Sequence, residues 1–177
     1  MKKYPKKILL TGPESTGKST LCEALSRHYN TLWVQEYARE YLEENGLSYK
    51  EQDLLVIAQE QFQRQNQAVT QAQSYLFCDT GLEVIKVWSE YKYHRCDSWI
   101  IDHMATQHFD RVFLCDIDIP WEPDPLREYP EEVQRQAFLE LYKEELQNLY
   151  GGYTLVQGSL DERLNSVIDV IEGCYEK

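Results

Sequence analysis

Five short, nearly continuous apolar runs recur along the chain: 6–11 (KKILLT), 31–35 (TLWVQ), 75–79 (YLFCD), 111–115 (RVFLC) and 153–157 (YTLVQ). Runs of this length without strict alternation are what strands buried on both faces of a parallel sheet require. Stretches with helical periodicity lie between them. Strands alternating with helices predict a three-layer α/β domain with five parallel strands.

Helix starts follow a local signal. Ser48-x-x-Glu51, Thr80-x-x-Glu83 and Ser159-x-x-Glu162 each fit a reciprocal capping box. After Ser48, the stripe Leu54, Ala58, Phe62, Val69, Ala72 and Leu76 predicts a helix lying on the sheet, its many glutamines facing water. A second long helix, 131–149, carries two adjoining apolar rows, Val133, Ala137 and Leu141 beside Phe138, Tyr142, Leu146 and Leu149, and Gly151-Gly152 ends it. Leu160, Leu164, Val167, Ile168 and Ile171 outline the last helix. No repeat or linker divides the chain, so residues 1–177 read as one domain.

Segment 116–130 (DIDIPWEPDPLREYP) breaks the pattern, holding four of the six prolines. It is either a stiff connection or an active-site lid, with Trp121 a candidate anchor.

Composition narrows the partners. Against 30 Asp and Glu there are 18 Lys and Arg, a net charge of −12, which argues against nucleic acid and anionic membrane as partners. No apolar run approaches the roughly 20 residues of a membrane span. Five cysteines, an odd number without a CxxC pair, read as reduced, packed thiols and a cytoplasmic location. His28, His94, His103 and His108 lack zinc-site spacing. A homo-oligomer is left open.

An acidic chain can bind an anion only at a concentrated local site, and one is present. Gly12-Pro13-Glu14-Ser15-Thr16-Gly17-Lys18-Ser19-Thr20 contains the full G-x-x-x-x-G-K-S pattern, directly after the first strand and before a helix. Such a loop wraps phosphate with inward N–H groups while the following helix presents its positive end. The pattern predicts a P-loop NTPase fold binding ATP, with Lys18 reaching the β and γ phosphates and Ser19 ligating Mg²⁺.

Two carboxylates end strands near that loop. Asp79 is a candidate for Mg²⁺ coordination, or else a plain cap at the sheet end. Glu36 closes the second strand, where it can orient or deprotonate an acceptor hydroxyl, or simply face solvent. Arg39 shares a crevice with Glu36 if Tyr37 begins a helix; a surface ion pair is the alternative. Arg127, in the proline-rich segment, is the first choice to compensate charge on a transferring phosphoryl group. Arg135, on the next helix, is expected to face solvent.

GPESTGKST (12–20), EYAREY (36–41), FCDTG (77–81) and PWEPDPLREYPEE (120–132) together resemble the ribosylnicotinamide kinase family, over nearly the full chain. The resemblance implies a nucleoside/nucleotide-kinase-like fold and phosphorylation of the ribose 5′-hydroxyl of nicotinamide riboside by ATP, giving nicotinamide mononucleotide for NAD biosynthesis. It implies that Glu36 and Arg39 line the ribosyl pocket, that Asp79 serves near Mg²⁺ or the acceptor, and that Arg127 belongs to the lid. Trp88 and Tyr91 then become candidates for an aromatic wall beside the cationic nicotinamide ring. Longer family members carry a DNA-binding region and an adenylyltransferase domain upstream; with the loop starting at Gly12, neither is expected here. A kinase for another small hydroxyl metabolite, or an ATP-binding regulatory module without turnover, stands as the alternative.

Overall fold

A computed structural model describes residues 4–173. In chain order the elements are β1 (Lys6–Thr11), α1 (Lys18–His28), β2 (Leu32–Val34), α2 (Tyr37–Asn45), α3 (Glu51–Val69), β3 (Tyr75–Asp79), α4 (Leu82–Tyr93), α5 (Ser98–Met104), β4 (Arg111–Cys115), α6 (Glu132–Tyr150), β5 (Thr154–Val156) and α7 (Leu160–Gly173). All five predicted strands form, in one sheet of order β2-β3-β1-β4-β5 with every pairing parallel.

Alternating strand residues supply two different cores. Leu9, Leu76, Cys78, Val112 and Leu114 face Val84, Val87, Phe138, Tyr142 and Leu146 of α4 and α6. Ile8, Leu10, Phe77, Phe113 and Cys115 point the other way, onto Leu21, Cys22 and Leu25 of α1 and Val167 and Ile171 of α7. This is a three-layer α/β fold, and each fully buried Leu or Phe contributes about 2 kcal/mol. β1 pairs with both β3 and β4, so the connection from β3 to β4 steps across it. The carboxyl end of β1 is thus the switch point where doubly wound sheets open a ligand crevice.

Several local readings are corrected. Of the three capping boxes only Ser159–Glu162 forms reciprocally, Ser159 N donating to Glu162 Oε2 at 2.8 Å and Glu162 N to Ser159 Oγ at 3.4 Å. α3 starts later than Ser48: Lys50 is its cap, and its N–H donates to Asp53 at 2.6 Å. At α4 the cap is Gly81, because Thr80 is forced to φ 69°. α3 ends at Val69, leaving Leu76 to β3. Its glutamines do not all face water, since Gln61 and Gln65 are buried. Of the two apolar rows of α6, Phe138, Tyr142 and Leu146 are buried, joined by Leu139, while Val133 is 82% exposed. Gly151 does end that helix, at φ 71°. α5 escaped the sequence reading, although Asp97 caps it through Trp99 N. Cys22, Cys78 and Cys115 are buried free thiols, Cys96 is partly buried, and Cys174 lies outside the described residues. No helix among the described residues is long and apolar enough to cross a membrane.

Candidate active site

The loop between β1 and α1 is shaped by three residues at positive φ: Gly12 at 135°, Ser15 at 56° and Gly17 at 74°. Gly12 has a second constraint, because a Cβ there would lie 2.7 Å from Cys115 O in the neighbouring strand. Thr16 Oγ1 ties the loop to Pro13 O at 2.8 Å. Lys18 folds back into its mouth, donating to Gly12 O at 2.9 Å and Pro13 O at 2.8 Å. Gly17 caps α1, so the helix presents its free N–H groups to the loop.

Asp79, at the end of β3, is brought against this loop. It is 1% exposed and its Oδ2 accepts from Ser19 Oγ at 2.5 Å. Burial, and then the charge of Glu36, push its carboxyl above the ordinary range, while Lys18 and the Ser19 hydroxyl pull the other way. Among the described residues Asp79 Oδ1 has no hydrogen-bond partner. A hydroxyl and a carboxylate with one unsatisfied oxygen, beside a phosphate loop, are donors of the type a hard divalent cation takes. Glu36 stands at the N-terminus of α2, where it makes no side-chain capping bond, and lines the same cleft. Arg39, one turn on, also lines it but is engaged at the rim, donating to Asp124 at 2.5 Å and Glu43 at 3.4 Å.

Segment 116–130 holds no helix or strand and lies over the loop. Glu122 N and Arg127 Nη1 donate to Ser15 Oγ at 3.0 and 3.1 Å, and Arg127 also reaches Glu122 O. From the loop side, the Glu14 carboxylate accepts from Glu128 N at 3.0 Å and Tyr129 N at 3.3 Å. Burial is the main reason its own carboxyl is raised above the ordinary range. A cleft of about 330 Å³ runs from the loop beneath this segment to a wall that includes Leu42, Val84, Trp88, Tyr129, Phe138 and Tyr142.

Residues 7–163 match the sequence profile of the AAA domain family. The chain belongs to that family. It is also 29% identical over 150 residues to the trifunctional NAD biosynthesis/regulator protein NadR of Salmonella typhimurium, a match covering 81% of this chain and 36% of that protein. The chain therefore spans about a third of the curated relative it resembles. Among solved structures, NadR in complex with NAD and AMP-PNP superposes with a TM-score of 0.73 at 24% identity, over 96% of this chain and 49% of that one. NadR in complex with NR gives 0.73 at 22%, over 96% and 51%. At these identities the likeness is one of fold, the three-layer α/β type with a five-stranded parallel sheet.

Gly12 to Thr20, Glu36, Arg39, Trp88 and Arg127 all line this one cleft, and Asp79 is hydrogen-bonded to its Ser19. Tyr91 is not in the lining: its ring packs 4.4 Å from Phe138 and 5.4 Å from Tyr129, behind the wall. Arg135 does not face solvent as expected. It is 7% exposed and points under segment 116–130, donating to Ser15 O at 3.3 Å and Ile119 O at 3.4 Å. Arg163 was missed altogether. It is 2% exposed and props the loop from below, bonding Thr16 O and Gly158 O at 2.8 Å, Asp116 O at 3.1 Å, and the Asp118 carboxylate. Its only trace in the sequence is a charge on the face of α7 that continues to Val167 and Ile171.

Proposed function

We propose that this chain is an ATP-dependent kinase that phosphorylates the ribose 5′-hydroxyl of nicotinamide riboside, giving nicotinamide mononucleotide. The observation that carries the reading is the single cleft joining a phosphate loop to an aromatic wall, with Glu36 in its lining and Asp79 hydrogen-bonded to the loop's Ser19. Similarity to NadR, solved with AMP-PNP and with NR, supports the choice of substrates.

The loop's backbone N–H groups and Lys18 bind the β and γ phosphates of ATP. Lys18 exchanges its loop carbonyls for phosphate oxygens. Ser19 and Asp79 would hold Mg²⁺, which supplies charge neutralisation to the phosphates when bound. With Asp79 turned to Ser19, Glu36 is the acceptor-side base: it orients the 5′-hydroxyl and takes its proton as that oxygen bonds to the γ phosphorus. The bond from that phosphorus to the ADP oxygen breaks in line. Arg127 offsets charge on the transferring group. Segment 116–130 acts as a lid that excludes water, which would otherwise compete as acceptor. Trp88 stands beside the cationic nicotinamide ring, where cation–π attraction contributes about 1 kcal/mol, and Arg39 borders the riboside. Residues 1–177 act as one kinase domain with its lid at 116–130.

The test is product analysis with ATP, Mg²⁺ and competing nicotinamide, pyrimidine and purine ribosides. Preferential formation of nicotinamide mononucleotide is expected. Preference for another riboside would reassign the substrate. Nucleotide binding without any phosphorylated riboside would replace the kinase with a binding module.

A further inference from the structure

The glutamines of α3 include two that are buried, and they lead to a third on the far side of the β3–α4 corner. Gln61, Gln65 and Gln107 are 2%, 0% and 8% exposed. Gln65 Nε2 donates to Thr80 O at 2.8 Å, and its Oε1 accepts from Gln107 Nε2 at 3.0 Å. Gln107 Oε1 in turn accepts from Leu82 N at 3.1 Å. Two side chains thus close a ring around Thr80-Gly81-Leu82, the corner immediately after Asp79. One turn earlier on α3, on the same face, Gln61 Oε1 accepts from Tyr37 N at 2.7 Å, and its Nε2 lies 3.5 Å from Asp79 O.

The peptide groups gripped in this way are specific ones. Tyr37 N belongs to the peptide that follows Glu36, and Asp79 O to the peptide that follows Asp79. Thr80, a non-glycine residue at φ 69°, needs outside restraint to stay there; its N–H is already held by Leu10 O at 2.9 Å. Methionine or leucine would fill these positions without burying amides. Three paired amides instead fix the direction of the backbone on both sides of the cleft.

We propose that Gln61, Gln65 and Gln107 form a buried amide relay that holds the Asp79 corner in register with the Glu36 end of α2, making the three glutamines positioning residues for phosphoryl transfer. The role in transfer rests on the kinase reading; the restraint on the backbone does not. Misplacing a reacting group by a fraction of an ångström lowers turnover more than binding, and residues that act as one unit are non-additive when removed.

The experiment compares Q61M, Q65M, Q107M and Q65M/Q107M with the parent in the full chain. Amide exchange is followed at Tyr37 and Leu82, together with kcat and ATP KM per nucleotide-binding site. The relay predicts faster exchange at Tyr37 in Q61M and at Leu82 in Q65M and Q107M. It predicts kcat lowered about tenfold in each variant, with ATP KM within about twofold, and the double variant little worse than either single one. Unchanged exchange at both amides overturns the relay, whatever the activity. Full kcat in folded variants overturns the positioning role. If Q65M fails to fold, Q107M at the outer end of the ring decides. A parent that phosphorylates no riboside overturns the kinase reading alone, and the exchange measurement still judges the relay.

Discussion

Glu83, at the start of α4, offers a sharp test of how the core behind the phosphate loop is built. Its side chain is fully buried; Oε1 accepts from Gly81 N at 3.1 Å, and among the described residues Oε2 has no partner. Burial dominates and pushes its carboxyl from an ordinary 4.5 up to about 7, with Glu145 across on α6 adding to the rise and the Gly81 amide opposing it. The folded chain therefore holds a proton on Glu83 that the unfolded chain has already released, and stability from this group falls as pH rises through the window from 4.5 to 7. At 1.36 kcal/mol per pH unit, a carboxyl raised this far is worth roughly 2 to 3 kcal/mol, most of it lost between pH 5 and 8. Glu83→Gln keeps the acceptor for Gly81 N and removes the titration. Urea unfolding of both proteins at pH 5 and pH 8 gives a difference of differences in which groups common to both, Asp79 among them, cancel. The variant should gain roughly 2 to 3 kcal/mol relative to the parent on going from pH 5 to pH 8. Parallel pH profiles would refute the reasoning and mean that Glu83 is ionised in the fold.

Three further substitutions probe the site. Glu36→Gln, nearly constant in size, should lower kcat by at least about 100-fold with ATP affinity unchanged; full turnover at saturating riboside would move the base to Asp79. Lys18→Ala should abolish ATP-dependent turnover and weaken nucleotide binding by calorimetry, since its contacts with Gly12 O and Pro13 O give way to phosphate in the proposed complex. Gly12→Ala should cost about 3 kcal/mol in a denaturation midpoint, because φ 135° is closed to alanine and its Cβ would press on Cys115 O; a neutral effect would mean that the loop relaxes freely.

How far the sequence could be read depended on whether a signal was local. The strand runs and the Gly151 stop are set by neighbours along the chain, and they appear as expected. Ser159 and Glu162 bond each other at an exposed helix start, whereas Glu83, three residues after Thr80, turns instead to Gly81 N inside the core. Gln61 and Gln65 of α3 are buried because the Tyr37 amide of α2, the Asp79 and Thr80 carbonyls and the Gln107 side chain meet them there. Arg135 and Arg163 are spaced like ordinary helix charges; only the carbonyls waiting beneath the loop make them interior residues.

The sequence by itself determined the layered α/β architecture, the phosphate loop and its place after the first strand, because periodicity and glycine geometry act over a few residues. The tertiary structure decided what stands around that loop. Parallel pairing of β1 with β3 sets Asp79 against Ser19, and the path of 116–130 across the switch point carries Arg127 to Ser15 and Asp124 to Arg39. Tyr91 and Trp88 lie on one helix, yet only Trp88 reaches the cleft. Contacts between residues some 60 to 110 positions apart leave no trace in local pattern, since burial of the whole sheet, not the preference of any segment, brings them together.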